Sequence, residues 1–257
     1  MNGLRAWLDR TPMATLALAL ARDATGRTEP LEPLRPIRPA SLRVGCRIGF
    51  WSLTAGAGTS TVAALVAHRS AAGGHAPLLI DLDRWTPSLA LRAKLEIATV
   101  ADALLRPGRE AELVSRWCEI PFLAGAPGLH ATFDPERIVE LVERSAAGRA
   151  AVLDLGSGAD ALDAHVIGAL DRLCVVTGTR AGQLQAAFCA QPLLRKLDVP
   201  IRLVTVCASD EDARRVASRL PWPLIAAIPF DPFLAKDDFA VRAPTTRAID
   251  ALIRACA

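Results

Sequence analysis

Tyrosine is absent from this chain of 257 residues, methionine occurs twice, and only three of its 30 basic residues are lysines. The skew toward arginine carries no functional weight, since codon usage produces it as readily as selection for phosphate contacts. A net charge of +3 is too small to argue by itself for a nucleic-acid partner. No apolar run reaches the ~18 residues needed to span a bilayer. Neither a CxxC pair nor Cys/His ligand spacing occurs, which argues against a zinc site. The six cysteines, at 46, 118, 174, 189, 207 and 256, stand singly, several inside apolar runs such as LCVVT and LVTVC. They are expected to be reduced and buried in a cytosolic core. There is no GxSxG turn, and the histidines at 68, 75, 130 and 165 have no serine or cysteine partner close in sequence. Nucleophilic catalysis therefore has no support from the motifs.

What is present is a chain 51% hydrophobic and 22% charged, long enough for one large α/β domain with a short appendage. The apolar MATLALALA (13–21) behind Arg5 and Arg10 has the outline of an export signal. However, Asp9 interrupts the basic region and Thr11-Pro12 is a good helix start, so residues 1–26 read as a helical segment. RTEPLEPLRPIRPA carries four prolines in fourteen residues, which makes 27–41 a linker. From 42 to 257 short apolar runs alternate with helical patterns. The runs are CRIGFW (46–51), APLLID (76–81), PFLAGA (121–126), AAVLDL (150–155), RLCVVTG (172–178), IRLVTV (201–206) and LIAAI (224–228). Helices are expected over 60–72, 99–117, 135–146, 161–170, 182–196 and 210–219, with Asp134 as cap and Pro135 in the first turn of the third. This alternation predicts an α/β fold: a doubly wound, mostly parallel sheet with helices on both faces. Ligands in such sheets bind beyond the carboxyl ends of the strands.

Three segments put phosphate-site residues at such ends. In TAGAGTST (54–61), Gly56 and Gly58 let backbone amides turn toward an anion, the following helix adds its positive end, and Ser60 stands where a hydroxyl would ligate magnesium. The full GxxxxGK[ST] pattern is not met; taken alone, the turn is equally well explained by close packing. LLIDLD ends the next strand with Asp81 and Asp83, acids that could position a water or hold a metal shell; a solvated loop is the plain alternative. AAVLDLGSG closes a buried strand with Asp154, in the manner of a magnesium-coordinating acid.

In order and spacing these segments resemble the ParA/MinD family of deviant P-loop ATPases, over about residues 44–257. The aligned loop is Leu53, Thr54, Ala55, Gly56, Ala57, Gly58, Thr59, Ser60, Thr61. The resemblance implies that Gly56, Ala57, Gly58, Thr59, Ser60 and Thr61 hold ATP or ADP, and that Ser60, Asp81 and Asp154 hold Mg2+. It also implies that Asp83 is the catalytic acid. WPLIAAIPFDPFLAKDDFAVRAP is similar to the family's late strand and base-pocket turn, with Pro229 and Asp231 at the matching places. The GTST form of the loop is most like the CpaE/TadZ branch, which implies a cytoplasmic homodimer that positions a pilus or secretion apparatus at the cell pole.

Both family lysines are missing: Thr54 stands for the one that reaches the partner's nucleotide, and Thr59 for the loop lysine. Cys207, or a neighbour, stands for the asparagine after IRLVTV. Electrostatic stabilisers of this kind are each worth roughly 3–4 kcal/mol of barrier. The expected function is thus a regulatory or scaffold protein with weak or absent ATP hydrolysis, unless an arginine from a partner or from RWTPSLALR (84–92) replaces the lysines. The alternative is an active partitioning ATPase binding DNA non-specifically through arginines such as Arg214, Arg215 and Arg219, where a solvated helix face is the plainer reading. A further alternative is peripheral membrane contact through a terminal helix. In the C-terminal one, Ile249, Leu252 and Ile253 share a side that also suits the core; the N-terminal one, with Trp7, Leu8, Met13, Leu16 and Leu20, is the stronger candidate for docking to a membrane or partner.

Overall fold

The computed structural model describes residues 39–131, 133–234 and 240–257. The N-terminal helical segment and most of the proline-rich linker lie outside the described residues. Eight strands form one sheet: β1 (Arg47–Ser52), β2 (Leu78–Asp81), β3 (Ser115–Trp117), β4 (Ile120–Leu123), β5 (Ala151–Ser157), β6 (Arg172–Gly178), β7 (Ile201–Val206) and β8 (Leu224–Ile228). Their spatial order is β3-β4-β2-β5-β1-β6-β7-β8. All neighbours pair in parallel except β3, which runs antiparallel to β4 at one edge.

The helices are α1 (Thr59–Ala72), α2 (Leu89–Ala93), α3 (Val100–Leu104), α4 (Glu110–Leu113), α5 (Pro135–Ser145), α6 (Ala164–Gly168), α7 (Ala181–Leu194), α8 (Asp210–Ala217) and α9 (Ala243–Cys256). Successive strand side chains point to opposite faces, and both faces are covered. Ile48 and Phe50 of β1, Leu79 of β2 and Val152 of β5 pack with Val62 and Val66 of α1 and with Ile249, Leu252 and Ile253 of α9. Their neighbours Trp51, Leu78, Ile80 and Leu153 pack on the other side with Ile138 and Leu141 of α5, Val166 and Ile167 of α6, and Ala190 and Leu194 of α7. Burying one such aliphatic or aromatic side chain contributes about 1.5–3 kcal/mol, so the two-sided burial dominates what holds the layers together. The doubly wound α/β expectation is met.

Local signals act where expected. Asp134 caps α5, accepting from the Arg137 N–H at 3.3 Å, with Pro135 at the helix start. Ser209 caps α8 in the same way, and three acids in its first turn complement the helix dipole. The start of the described chain is strapped to the domain: the Ala40 N–H donates to Asp250 at 3.1 Å and the Leu42 N–H to Ser70 at 3.0 Å.

Three expectations need correction. The helix over 99–117 is broken by Pro107-Gly108 into α3 and α4, and its end is strand β3. A two-residue turn at Cys118-Glu119, with Cys118 at φ +53°, folds β3 onto β4. Only pairing with β4 makes Ser115–Trp117 a strand, since three residues carry no readable period. The helix over 161–170 is shorter, a single 3-10 turn at Ala159–Ala161 followed by α6. Finally, the cysteines are not uniformly buried. Cys46, Cys174 and Cys256 are, whereas Cys118, Cys189 and Cys207 are exposed, because a hairpin turn, an outer helix position and a strand end hold them.

Candidate functional site

Beyond Ser52, residues 53–58 turn the chain from β1 into α1. Gly58, the N-cap of α1, has φ +90°, a left-handed conformation that costs glycine little and most residues about 1–2 kcal/mol. No side chain caps α1 and no acid lies in its first turn. The leading N–H groups and the positive end of the helix dipole are thereby left to an outside acceptor. Thr59 points inward instead: it is 6% exposed, and its hydroxyl donates to Ser52 Oγ at 3.1 Å, which in turn donates to the Thr54 carbonyl at 2.7 Å.

The acids converge next to this turn. Because β2 and β5 are neighbours, Asp81 and Asp154 stand directly opposite each other at the strand ends, and both are fully buried. Asp81 accepts from the Asp83 N–H at 3.1 Å and the Leu89 N–H at 3.3 Å, engaging both carboxylate oxygens. Burial, and next the charge of Asp154, hold Asp81 well above the usual carboxylate range. Burial pushes Asp154 up to about 6, against the opposing pull of the Ser60 hydroxyl and the Gly156 N–H. Ser60 faces this carboxylate and favours its ionised form, yet among the described residues no donor in strict hydrogen-bond geometry reaches the buried Oδ2. Asp83 is spent on its own loop, accepting from the N–H groups of Trp85 and Thr86, both at 2.9 Å. It lies against Gly156, where a Cβ would come within 2.5 Å of the Asp83 carboxyl carbon.

Two cavities flank the turn. One, of about 300 Å³, is lined by Ser52, Gly56, Thr59, Ser60, Asp83 and Arg92, among others. The second, of about 520 Å³, lies on the other side and is lined by Ala57, Arg180, Gln183, Cys207, Pro229 and Asp231, among others. Gly56, Gly58 and Thr61 line both, so the turn itself is the shared wall. Asp231 has a structural task as well. Burial works to raise its pKa, but the Arg242 N–H, the Thr245 hydroxyl and the Phe233 N–H outweigh this and hold it below the usual range, so that it ties α9 to the chain after β8.

No protein-family model and no curated protein matches the chain. Solved structures do. The septum site-determining protein MinD of Pyrococcus horikoshii, complexed with Mg-ADP, superposes with a TM-score of 0.69 at 18% identity, over 82% of this chain and 95% of that one. A ParA family ATPase from Chlorobium tepidum gives 0.66 at 19% identity, over 81% and 98%. A putative plasmid partition protein from Borrelia burgdorferi bound to AMPPNP gives 0.64 at 16% identity, over 81% and 97%. The chain has the fold of the ParA and MinD ATPases. At these identities the likeness is one of fold.

Within this ParA/MinD fold, Gly56, Ala57, Gly58, Thr59, Ser60 and Thr61 surround one turn, and Asp83, Pro229 and Asp231 reach the cavities beside it. Asp81 and Asp154 lie behind, lining neither cavity. Among the described residues no cluster of three or more His, Cys, Asp or Glu is arranged to hold a metal. Magnesium in phosphate sites takes one or two protein oxygens and completes its shell with phosphate and water, and the Ser60 hydroxyl with Asp154 Oδ2 fits that donor set. Reading the motifs singled out the turn and the acids but missed Thr86, Ser88, Arg180 and Gln183 as cavity walls; all four follow strand ends, the signal that could have found them. Of the two arginines in RWTPSLALR it is Arg92 that lines the smaller cavity. His68 lines neither of these cavities; it packs edge-on against Trp117 at 4.8 Å, and burial lowers it to about 4.

Proposed function

We propose that the chain is a ParA/MinD-type regulatory or scaffold protein that binds Mg-ATP or Mg-ADP at the turn 53–58, turns it over slowly or not at all, and works by dimerising and docking a partner. The observation that carries this reading is the inward bond from Thr59 to Ser52, beside a helix end that no side chain caps. Backbone amides and a helix dipole suffice to bind phosphate. They do not supply the cation that neutralises charge developing in phosphoryl transfer. Ser60 and Asp154 would hold magnesium; Asp81, with both oxygens occupied, would hold the loop that carries Asp83. The larger cavity, with Pro229 and Asp231, would take the nucleoside.

Nucleotide-bearing neighbours of the same fold support the ligand class, and a MinC:MinD complex from Aquifex aeolicus is a precedent for partner docking. The form of the loop favours the CpaE/TadZ-like role of placing a pilus or secretion apparatus. The test is titration calorimetry with Mg-ATP together with sedimentation and a phosphate-release assay. Binding with dimerisation and without release is expected; brisk release overturns the reading.

The second reading, a partitioning ATPase on DNA, rests on the arginines of α8. Their charge is largely offset there: Arg215 pairs with Glu211 at 2.8 Å and Asp212 at 3.2 Å, and Arg214 donates to the Asp210 carbonyl at 3.1 Å. A salt-sensitive gel shift of non-specific duplex would restore it. Membrane contact through α9 loses its apolar face, because Ile249, Leu252 and Ile253 are buried in the core. Among the described residues no helix is long and apolar enough to cross a membrane.

A further inference from the structure

The larger cavity carries on its wall a side-chain amide that the fold holds in place. We propose that this amide, from Gln183, reads the edge of the nucleobase and selects adenine by pairing a donor and an acceptor with it. The inference rests on the nucleotide reading above and names the base that the second cavity takes. A neutral amide adds binding there and leaves the phosphate turn without a cation.

Gln183 stands in the first turn of α7 and lines the 520 Å³ cavity. Two contacts set its place. Its backbone carbonyl accepts from the Thr177 hydroxyl at 3.2 Å, which ties the start of α7 to the end of β6. Its side chain lies over Gly178, where a Cβ would come 2.0 Å from Oε1 and 2.8 Å from Cδ, so glycine at the end of β6 gives the amide its room. Cys174 and Val176 belong to the face that α1 covers, and strand alternation puts Gly178 on the same face. That directs the amide to the α1 side, where the cavity is. Among the described residues no hydrogen bond engages this amide. Asp231, the one acid among the described residues of the wall, has both oxygens occupied by Phe233, Arg242 and Thr245. An amide offers an acceptor oxygen beside an N–H2 donor, the complement of adenine, whose exocyclic N–H2 adjoins a ring-nitrogen acceptor. Guanine turns two adjacent donors outward that a free carboxylate would match, and that of Asp231 is spent. Val62, Leu65, Val206, Ile228 and Phe230 make the remaining wall mostly apolar, which shields such a pair from water. Gly56, Gly58 and Thr61 wall both cavities, so one nucleotide can present its base to Gln183 while its phosphates lie on the turn.

The test is titration calorimetry of the full chain with magnesium and four probes: ATP, GTP, tripolyphosphate and purine riboside triphosphate, which lacks the amino group of adenine. Wild type is compared with Gln183→Leu and with Gly178→Ala, whose methyl group displaces the amide while leaving Gln183 in the chain; each is checked for an unchanged melting temperature. Wild type is expected to bind ATP about 5- to 100-fold more tightly than purine riboside triphosphate or GTP, the range of a two-point contact to one base. In both variants ATP should fall to the level of purine riboside triphosphate, with tripolyphosphate unchanged. Wild type binding ATP and purine riboside triphosphate equally, a comparison that needs no variant, would overturn the role of Gln183 and leave the nucleotide reading standing. A wild-type preference that persists in Gln183→Leu would do the same. Equal losses for ATP and tripolyphosphate in Gln183→Leu would overturn it in favour of a purely structural role. Failure of the wild-type chain to bind any of the four probes would overturn both readings together.

Discussion

Replacing Asp154 by Asn should make the ligand-free protein more stable at neutral pH. Asp154 is fully buried at the end of β5, opposite Asp81, and one of its oxygens has no hydrogen-bond partner among the described residues. Burial raises its pKa from 3.8 to about 6. The folded protein therefore prefers the protonated acid, so this group's stabilising contribution is complete below about pH 3.8 and is lost as pH rises through 6. A rise of about two pH units, each worth roughly 1.4 kcal/mol, amounts to about 3 kcal/mol. Asn keeps the shape and the acceptor for the Gly156 N–H but never ionises. Its advantage over the wild type should be near zero at about pH 4 and reach about 3 kcal/mol above pH 7, or about 6–12 °C in melting temperature for a domain of this size. Because Asp81 and Asp154 repel each other, the midpoint of this trend belongs to the pair. Thermal and urea melts of both proteins in EDTA, from about pH 4 to pH 8, would measure it. An Asn variant that melts at or below wild type near pH 7.5, or a gap constant across the range, would refute the reasoning.

Other outcomes follow from the same contacts. With magnesium and ATP added the order reverses: Asp154→Asn and Ser60→Ala should each weaken magnesium-dependent nucleotide binding at least about tenfold, read by calorimetry with and without EDTA. Gly156→Ala places a Cβ 2.5 Å from the Asp83 carboxyl carbon at φ +70°, so a loss of about 2–4 kcal/mol is expected from urea melts. Asp250 is buried and accepts two bonds of 2.7 Å from Arg69 and one from the Ala40 N–H. Against burial, these donors hold its carboxyl below the usual range. Asp250→Ala should cost about 3 kcal/mol or more near pH 7, and the wild-type advantage should shrink only as pH falls below about 3.8.

Most of the fold was legible along the chain because its strands are buried on both faces and read as near-continuous apolar runs. The caps at Asp134 and Ser209 mark helix starts with side-chain chemistry that needs no distant partner. The break at Pro107-Gly108 was legible in principle, but the apolar periodicity on either side of it masked it. Strand β3 was not, since only β4 gives its three residues a ladder. At the site, the glycine turn, the inventory of acids and the missing lysine could all be read from spacing. The direction of Thr59 could not: a threonine after a glycine turn can face either way, and the Ser52 hydroxyl decided it.

The linear order of residues was enough to determine that strands and helices alternate, that a glycine turn precedes α1, and that no lysine stands in it. Each of these depends on neighbours within a few positions. The pairing of Asp81 with Asp154, the raised pKa that burial there gives each acid, and the arrival of Arg92 at Thr61 were decided only when β2 and β5 came together and α2 was anchored to their ends. Those are contacts between groups far apart in the chain, and their energies come from burial and through-space charge that no local pattern encodes.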